Sequence, residues 1–361
     1  VLSLINWINM NRFIKIFFVL FLFISCSGGG DDLSSEVGDD VKSIKVTMST
    51  VYLELESEIV FQVFSDKNKI LTSESTFFVN NQEISGNSYR GTQEGGFTVN
   101  AKYGQLTSPT KTFDVIPEIV YYQANVLVED YTGTWCGWCP RVSEAIRLLK
   151  LESDKISVVA IHVGDNMEIA AANTLTSTFG VNSYPHVKLN RNSKWDGDQP
   201  NTLSVVTNLT NSPKKLGLAL ESTLDKRTLS LKTKVQFGFP YNDLKLVVYI
   251  LENGIIADQT NFTSYFSDLE VYTAGNGNPI SKGFTHDNVL RKSLTAVLGD
   301  NISPSSSKSG NTYEKTFSYE IPAGFDVTDM EIVAFVVDKD KKAINSRMSK
   351  LEKNQTFEKK E

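Results

Sequence analysis

The hydrophobic pattern between residues 117 and 212 limits the possible folds more than any other part of the chain. The segment NVLVEDY (125–131) is almost continuously apolar, as expected for a parallel strand buried on both faces. CPRVSEAIRLLKLES (139–153) follows with apolar residues at helical spacing, and ISVVAIHV (156–163) has the pattern of a second buried strand. This order predicts a β-α-β unit.

The second half of this region continues the alternation of helix and strand. MEIAAANTLTSTFG (167–180) has a helical pattern that Gly180 can end. HVKLN (186–190) and KWDGD (194–198) predict a hairpin, and a last short helix is expected near 201–211. Together these elements predict an α/β region.

The flanking regions have a different pattern. Residues 42–116 and 213–361 contain short runs of alternating apolar and polar residues, separated by turn clusters such as NNQ, SGNS and SPSSSKSGN. This spacing predicts an antiparallel β-sandwich on each side. Because 361 residues suffice for two or three domains, we predict a multi-domain chain with an α/β central domain (117–212) flanked by two all-β sandwich domains.

Two cysteines stand three positions apart where the first predicted strand gives way to the helix. Cys136 would face the unpaired N–H groups and the positive dipole of the helix start, which stabilise a thiolate. An ordinary cysteine, with a pKa of about 8.5, is only about 3% thiolate at pH 7, so a lowered pKa makes the sulfur far more reactive. Cys139, one turn on, can attack a mixed disulfide formed at Cys136 and release the product. The pair therefore predicts thiol–disulfide exchange.

Two other roles for the pair stay open. As a structural staple it closes a loop of four residues, for which the chain-entropy formula gives only about 2 kcal/mol. As half of a zinc site it needs two more ligands, and the chain offers His162, His186 and His286, of which His186 can come close. Redox chemistry is preferred because a staple would add little stability to a motif that is expected in an exposed turn.

The charge balance argues against nucleic-acid binding. The chain has a formal net charge of −6 and a sequence pI near 5.3. It offers no basic face that could neutralise phosphates. Nucleic acid is therefore not an expected partner.

The first residues have the pattern of an export signal. Arg12 and Lys15 precede the apolar run 16–24, which is shorter than the roughly 20 residues of a membrane-spanning helix. This pattern predicts a signal peptide over residues 1–25.

The junction that follows, FISCSGGGDD, resembles the lipobox of bacterial lipoproteins. The resemblance implies cleavage before Cys26 and lipidation of that cysteine, with residues 26–41 as a flexible tether. It further implies an outer-membrane lipid anchor, with the protein facing either the periplasm or the cell surface. The alternative is an ordinary secretory signal with cleavage nearby, in which the Cys26 thiol has no function.

The motifs TGTWCGWCP (132–140) and NSYPH (182–186) resemble the thioredoxin family, as does the order of the predicted elements around them. The resemblance implies a thioredoxin-like fold for the central domain. It also implies a cis peptide bond before Pro185 and a backbone contact between Tyr184 and the substrate. From the sequence alone Pro185 would be assigned to a turn, since cis X–Pro bonds are uncommon.

The same resemblance assigns a role to an acidic residue. Asp130 lies six positions before Cys136, where thioredoxins carry a buried acid that exchanges protons with the second cysteine. A carboxyl group in an apolar strand has a raised pKa and can take a proton near neutrality. Glu129 is adjacent and can serve instead, and a solvated strand end explains the position of Asp130 nearly as well.

Three further residues complete the predicted site. Gly137 and Trp138 lie inside the pair and carry no charge, so stabilisation of the thiolate must come from the helix start or from Arg141. Trp135 and Trp138 are expected to form an apolar rim that contacts the substrate. Packing against the C-terminal domain is the alternative role for Trp138.

The C-terminal half carries a second family resemblance. The cysteine motif is followed by YILENG (249–254), FTHDNVLRKSL (284–294) and MEIVAFVVDKDKKAI (330–344), an order similar to that of the outer-membrane protein 28 family. The similarity covers roughly residues 117–345 and implies an outer-membrane location. Residues 42–116 look like the bacterial immunoglobulin-like modules that follow lipoprotein anchors.

Together these observations predict an envelope thiol–disulfide oxidoreductase that acts on protein substrates. No cofactor is expected. No metal is expected either, because WDGDQP (195–200) is better explained as a hairpin turn than as a calcium site. The expected partners are protein thiols or disulfides, and the membrane through the N-terminal lipid. The alternative is a surface-exposed binding or adhesion lipoprotein in which the cysteine pair is structural or vestigial.

Overall fold

The computed structural model describes residues 41–197 and 199–360, and this part of the chain is mostly β. Strands hold 47% of the residues and helices 12%. Within the described residues, no helix combines the length and the apolar character needed to cross a membrane. The predicted signal peptide, Cys26 and nearly all of the predicted tether lie outside the described residues.

Nine strands form the N-terminal part. They are β1 (Ile44–Met48), β2 (Tyr52–Glu54), β3 (Glu58–Ser65), β4 (Thr76–Val79), β5 (Gln82–Ile84), β6 (Ser88–Arg90), β7 (Gly95–Tyr103), β8 (Leu106–Thr107) and β9 (Lys111–Ile116). One sheet has the order β1-β3-β6, and the other has the order β2-β9-β7-β4-β5 with β8 beside β7. Most of β3 alternates exposed and buried residues, as expected for a strand with one face on a core. Side chains from both sheets, among them Phe61, Phe77 and Phe113, meet in one hydrophobic cluster.

The middle part combines strands with helices. Its elements are β10 (Tyr121–Tyr122), β11 (Val126–Thr132), α1 (Pro140–Glu152), β12 (Ile156–His162), α2 (Ala171–Phe179), β13 (His186–Leu189), β14 (Ser193–Lys194) and α3 (Ser204–Thr207). β11 and β12 are parallel and α1 joins them, while β13 pairs antiparallel with β11. Every residue of β11 and β12 is buried. The predicted β-α-β unit is therefore confirmed, and Gly180 ends α2 with a φ of 64°.

The C-terminal part consists of strands and the loops that join them. The strands are β15 (Leu216–Asp225), β16 (Thr228–Phe237), β17 (Leu244–Glu252), β18 (Ile255–Thr260), β19 (Val271–Thr273), β20 (Pro279–His286), β21 (Val289–Ser293), β22 (Asp300–Ile302), β23 (Thr312–Glu320), β24 (Met330–Val337), β25 (Ala343–Lys350) and β26 (Lys359–Lys360). β15, β16 and β23 form one antiparallel sheet. A small sheet, β18-β20-β19, stands apart from it. Short 3-10 helices occur at Thr72–Glu74, Gln199–Asn201, Asn208–Asn211 and Val327–Asp329.

The largest sheet has nine strands and crosses the predicted boundary between residues 212 and 213. Its order is β14-β13-β11-β12-β21-β17-β24-β25, with β22 beside β17. The junction lies between β12 and β21, where the Ala160 N–H donates to Asn288 O at 2.8 Å. The predicted fold class is therefore wrong. Within the described residues the fold is mostly β, with no self-contained α/β, thioredoxin-like central domain between two all-β domains.

A shared core explains why that prediction fails. One hydrophobic cluster joins Leu127 and Ile161 of the middle part to Val247, Tyr249 and Phe335 of the C-terminal part. The hydrophobic pattern of a strand reports that the strand is buried but does not identify its neighbour. The helices and strands between 117 and 212 were therefore predictable one by one, but their fusion with distant strands was not.

A buried ion pair strengthens this connection. The Arg191 guanidinium donates to Glu129 Oε1 at 2.7 Å and to the Tyr249 hydroxyl at 3.0 Å. Neither charged side chain is exposed, and the guanidinium also lies 4.6 Å from the centre of the Phe335 ring. Removing one partner of such a pair leaves an uncompensated buried charge. Both charged residues belong to the middle part, and the contacts of Arg191 with Tyr249 and Phe335 connect it to the C-terminal part.

Candidate functional site

The predicted cysteine pair lies in the turn between β11 and α1, and the two sulfurs form a disulfide. The Cα atoms are 5.4 Å apart. The Cys139 N–H donates to Cys136 O at 3.2 Å, and Pro140 begins α1 directly afterwards. Cys136 is only 4% exposed and Cys139 only 1%. The disulfide is thus at the start of the helix, as predicted, but it is more covered than the sequence suggested.

The start of α1 favours a thiolate at Cys136 when the disulfide is reduced. Among the described residues, no side chain caps the helix, so the N–H groups of its first turn lack a side-chain acceptor. The first turn also carries no acidic residue to oppose the positive end of the helix dipole. Both features stabilise negative charge on a sulfur close to the helix start.

The two candidate acids of β11 have different environments. Glu129 is held in the buried ion pair with Arg191. Asp130 is 3% exposed, and its Oδ1 has no hydrogen-bond partner among the described residues. Burial raises the pKa of Asp130 to about 7. The structure therefore makes Asp130, rather than Glu129, the carboxyl group that is free to exchange a proton near neutrality.

Tyr184 and Pro185 lie beside the tryptophan rim. The peptide bond between them is cis, as the family resemblance implies. The Tyr184 ring packs edge-on against Trp135 at 5.2 Å, and the Trp135 indole N–H donates to Val163 O at 2.7 Å. The described chain thus brings this peptide close to the cysteine turn.

The two predicted rim tryptophans are the exposed part of the site. Trp135 is 47% exposed and Trp138 is 52% exposed. The Trp138 ring also meets the edge of the Phe262 ring at 5.9 Å. Trp138 is therefore exposed and also packs against the C-terminal part, which was its alternative role, while its contact with a substrate stays a prediction.

A five-residue segment that begins within β18, here called the strap (residues 259–263), covers the cysteine turn. The Thr260 N–H donates to Thr134 O at 2.8 Å, and the Phe262 N–H donates to Gly137 O at 2.7 Å. The Gln259 side-chain amide donates to Cys136 O at 2.9 Å. Nothing in the sequence around the cysteines indicates this contact, because the strap lies more than 120 positions further along the chain.

A cavity of about 420 Å³ lies between α1 and the strands β11, β12, β18 and β20. Asp130, His162, His286 and Phe284 are among its lining residues. His162 Nδ1 is 2.7 Å from Asp165 Oδ2, and the His162 and His286 rings are 5.3 Å apart. Burial lowers the pKa of His286 to about 4, so this imidazole is neutral at physiological pH.

The zinc alternative finds no support in the described part of the chain. That part contains no group of three or more His, Cys, Asp or Glu side chains arranged to hold a metal ion. His186 instead packs edge-on against the Tyr131 ring at 5.9 Å. His162 is paired with Asp165.

A comparison with protein families identifies a match over part of the chain. The family described as Outer membrane protein Omp28 matches residues 172–355, just over half of the chain. No curated protein matches the chain. Among solved structures, HBP35 of Porphyromonas gingivalis is similar at 20% identity and a TM-score of 0.48, over 64% of this chain and 76% of that one.

Two other solved structures are more distant. A domain of the outer membrane lipoprotein Omp28 from Porphyromonas gingivalis is 16% identical, with a TM-score of 0.24, over 38% of this chain and 88% of that one. The adhesin InvE of Yersinia pseudotuberculosis is 8% identical, with a TM-score of 0.20, over 85% of this chain and 58% of that one. All three structural scores are too low to carry an argument about function.

Proposed function

The chain belongs to the Omp28 family of outer membrane proteins, and on this premise we propose that it is an envelope thiol–disulfide oxidoreductase acting on protein substrates. Membership confirms the predicted outer-membrane location. Lipidation of Cys26 and a position on the periplasmic or the outer face belong to the proposal. The likeness of residues 42–116 to an immunoglobulin-like module stays a prediction.

The closed disulfide between Cys136 and Cys139 at the start of α1 is the observation that carries the proposal. In a cysteine pair three positions apart at a helix start, the first sulfur is a good leaving group because its thiolate is stabilised. The second sulfur lies close enough to attack it. A staple at this position would close only a four-residue loop and would gain little stability.

The proposed reaction transfers two electrons between a substrate dithiol and the disulfide. A substrate thiolate attacks Cys136 Sγ, the Cys136–Cys139 bond breaks, and Cys139 leaves as a thiolate that takes up a proton. The second substrate thiolate then attacks the substrate sulfur of the mixed disulfide. Cys136 leaves as a thiolate, stabilised by the start of α1, and the substrate keeps the new disulfide. The reverse sequence reduces a substrate disulfide.

Asp130 is the proposed proton carrier for Cys139. Its pKa of about 7 makes both the acid and the carboxylate accessible near neutrality. It lines the same cavity as Ser143 and Ile146 of α1, which places it under the helix that begins after Cys139. Because Glu129 is paired with Arg191, it is not available for this role.

The redox equilibrium of the pair with glutathione tests the proposal. We expect a reduction potential between those of thioredoxin and protein disulfide isomerase, about −270 to −180 mV. A Cys139→Ser chain should trap a mixed disulfide with substrate through Cys136, and a Cys136→Ser chain should trap none. A potential below about −300 mV, as structural disulfides have, would contradict the proposal.

The low exposure of the pair favours a second candidate function. Cys136 and Cys139 are almost fully covered, partly by the strap, as a structural disulfide would be. In that case the protein is a surface binding or adhesion lipoprotein, and its β-sheets carry the binding surface. Replacing both cysteines with serine would then lower the melting temperature but leave binding to the partner unchanged.

A further inference from the structure

The strap contacts the cysteine turn in the way that an added strand contacts the edge strand of a β-sheet. The N–H groups of Thr260 and Phe262 point to the turn, whereas the N–H of Asn261 donates to Pro279 O at 3.0 Å on the other side. Alternation with a period of two is the pattern of an extended segment. The acceptors, Thr134 O and Gly137 O, are backbone groups and therefore impose no particular side-chain sequence on the donor.

A single aromatic ring supplies the side-chain part of this contact. A Cβ atom added at Gly137 would lie 2.2 Å from Phe262 Cδ2, so the ring rests directly on the glycine. Gly137 is not among the residues with positive φ, and its backbone conformation is open to other residues. The absence of a side chain at position 137 is therefore required by the ring above it. The Trp138 ring provides the adjacent wall at 5.9 Å.

The strap also limits access to the sulfur. With the strap in place Cys136 is 4% exposed. Phe262 itself is 42% exposed, so its ring is held on one side only. Gln259 is almost fully buried, and its amide donates to Cys136 O and also to Gly133 O at 3.3 Å. The strap thus lies on the backbone carbonyl groups beside Cys136, and movement of its Phe262 end would open the turn to a substrate segment.

We propose that Thr134 O, Gly137 O and the Trp138 ring form a docking site for an extended peptide segment that carries an aromatic side chain. The strap occupies this site as an internal substitute, and a segment of the protein substrate displaces it. The occupant is a peptide because two backbone N–H donors with an aromatic side chain are what the site holds now. This inference rests on the proposed thiol–disulfide exchange, and it adds the substrate's recognition chemistry and a reason for the low exposure of Cys136.

Peptide binding tests the docking site without any redox reaction. The probe is a fluorescent peptide with the strap's own sequence, QTNFT (residues 259–263), and the control peptide is QTNAT. We expect Phe262→Ala to bind QTNFT at least about tenfold more tightly than the unaltered chain does, because loss of the ring weakens the hold of the strap and leaves the place beside Trp138 open to the ring of the peptide. QTNAT should bind both chains weakly. Tyr272→Ala, which removes another exposed aromatic from the same small sheet, should behave as the unaltered chain.

Two further measurements separate this inference from the proposed function. Gly137→Ala should push the Phe262 ring away, and like Phe262→Ala it should speed the reduction of the disulfide by glutathione at least about fivefold. Equal reduction rates in all chains, together with no QTNFT binding to Phe262→Ala, would show a fixed interface and overturn the docking site. Peptide binding without disulfide exchange in any chain would leave the docking site standing and overturn the oxidoreductase proposal.

Discussion

Two neighbouring acidic residues in β11 show how the surroundings of a buried carboxyl group determine whether it can exchange a proton. Glu129 points to the face of the sheet that holds Arg191, and its charge is compensated there. Asp130 points to the opposite face, toward the cavity, and is buried without a hydrogen bond to Oδ1. The alternation of side chains along a strand predicts that the two acids face opposite sides. Which of them is free could not be predicted, because Arg191 is 62 positions away from Glu129.

The raised pKa of Asp130 predicts a dependence of stability on pH. The folded state keeps a proton up to a pKa of about 7, whereas the unfolded chain releases it near the ordinary aspartate pKa of 3.8. Between these values the folded state binds more protons than the unfolded state, so the free energy of unfolding falls as pH rises. Over about three pH units the loss is on the order of 4 kcal/mol.

Urea unfolding of the disulfide-bonded protein at pH 4, 5.5 and 7.5 measures this effect. We expect Asp130→Asn to remove this contribution, so that its stability relative to the unaltered chain increases toward pH 7.5. Glu152→Gln, at an exposed position on α1, serves as the control and should leave the slope unchanged. Parallel slopes for the unaltered chain and Asp130→Asn would disprove the assignment.

Helix α1 shows what an element's own sequence can predict. The apolar spacing predicted a helix over 139–153, and the structure has it at Pro140–Glu152. Val142, Ile146 and Leu149 are all buried on its inner face, as the helical period requires. The strap, in contrast, has no periodic pattern of its own, and its position depends on how β18 and β20 pair.

Two leucines near the end of α1 provide a matched test of its packing. Leu149 is fully buried in a cluster with Val128 and Val158, while Leu151 is 74% exposed. Leu149→Ala should cost about 2–5 kcal/mol of unfolding free energy, because it leaves a cavity in that cluster. Leu151→Ala should stay within about 0.5 kcal/mol of the unaltered chain. Similar losses for both variants in urea unfolding would mean that the inner face of α1 is misassigned.

At the scale of the whole molecule, the sequence predicted the elements better than their arrangement. Strands and helices follow from local periodicity, and the cysteine turn was placed correctly at the start of α1. The middle and C-terminal parts share one sheet because the pairing of Ala160 with Val289 joins segments that are far apart in the chain. The contact of the strap with the cysteine turn could not be predicted either, because the strap also comes from a distant part of the chain. Local periodicity in the sequence does not predict which strands pair when those strands are far apart in the chain.

The sheet topology predicts two separate unfolding units. The sheets built from β1 to β9 contain no strand from the rest of the chain, and their shared core draws only on residues 41–115. The nine-stranded sheet instead unites strands from β11 to β25, and the hydrophobic cluster behind it draws on the middle and C-terminal parts together. Residues 117–212 have one hydrophobic cluster of their own, between α1 and the sheet, but the second cluster is completed by residues of β17 and β24.

Scanning calorimetry of three chains tests this division. The chain covering residues 41–360 should unfold in two transitions, and a chain of residues 117–360 should keep one of them within a few degrees, about 2–4 °C. A chain cut at residue 212, containing 117–212 alone, should show no cooperative transition, because half of the cluster around Tyr249 and Phe335 is missing. A cooperative transition in that fragment would mean that the middle part is a domain in its own right, and that the pairing of β12 with β21 adds little to its stability.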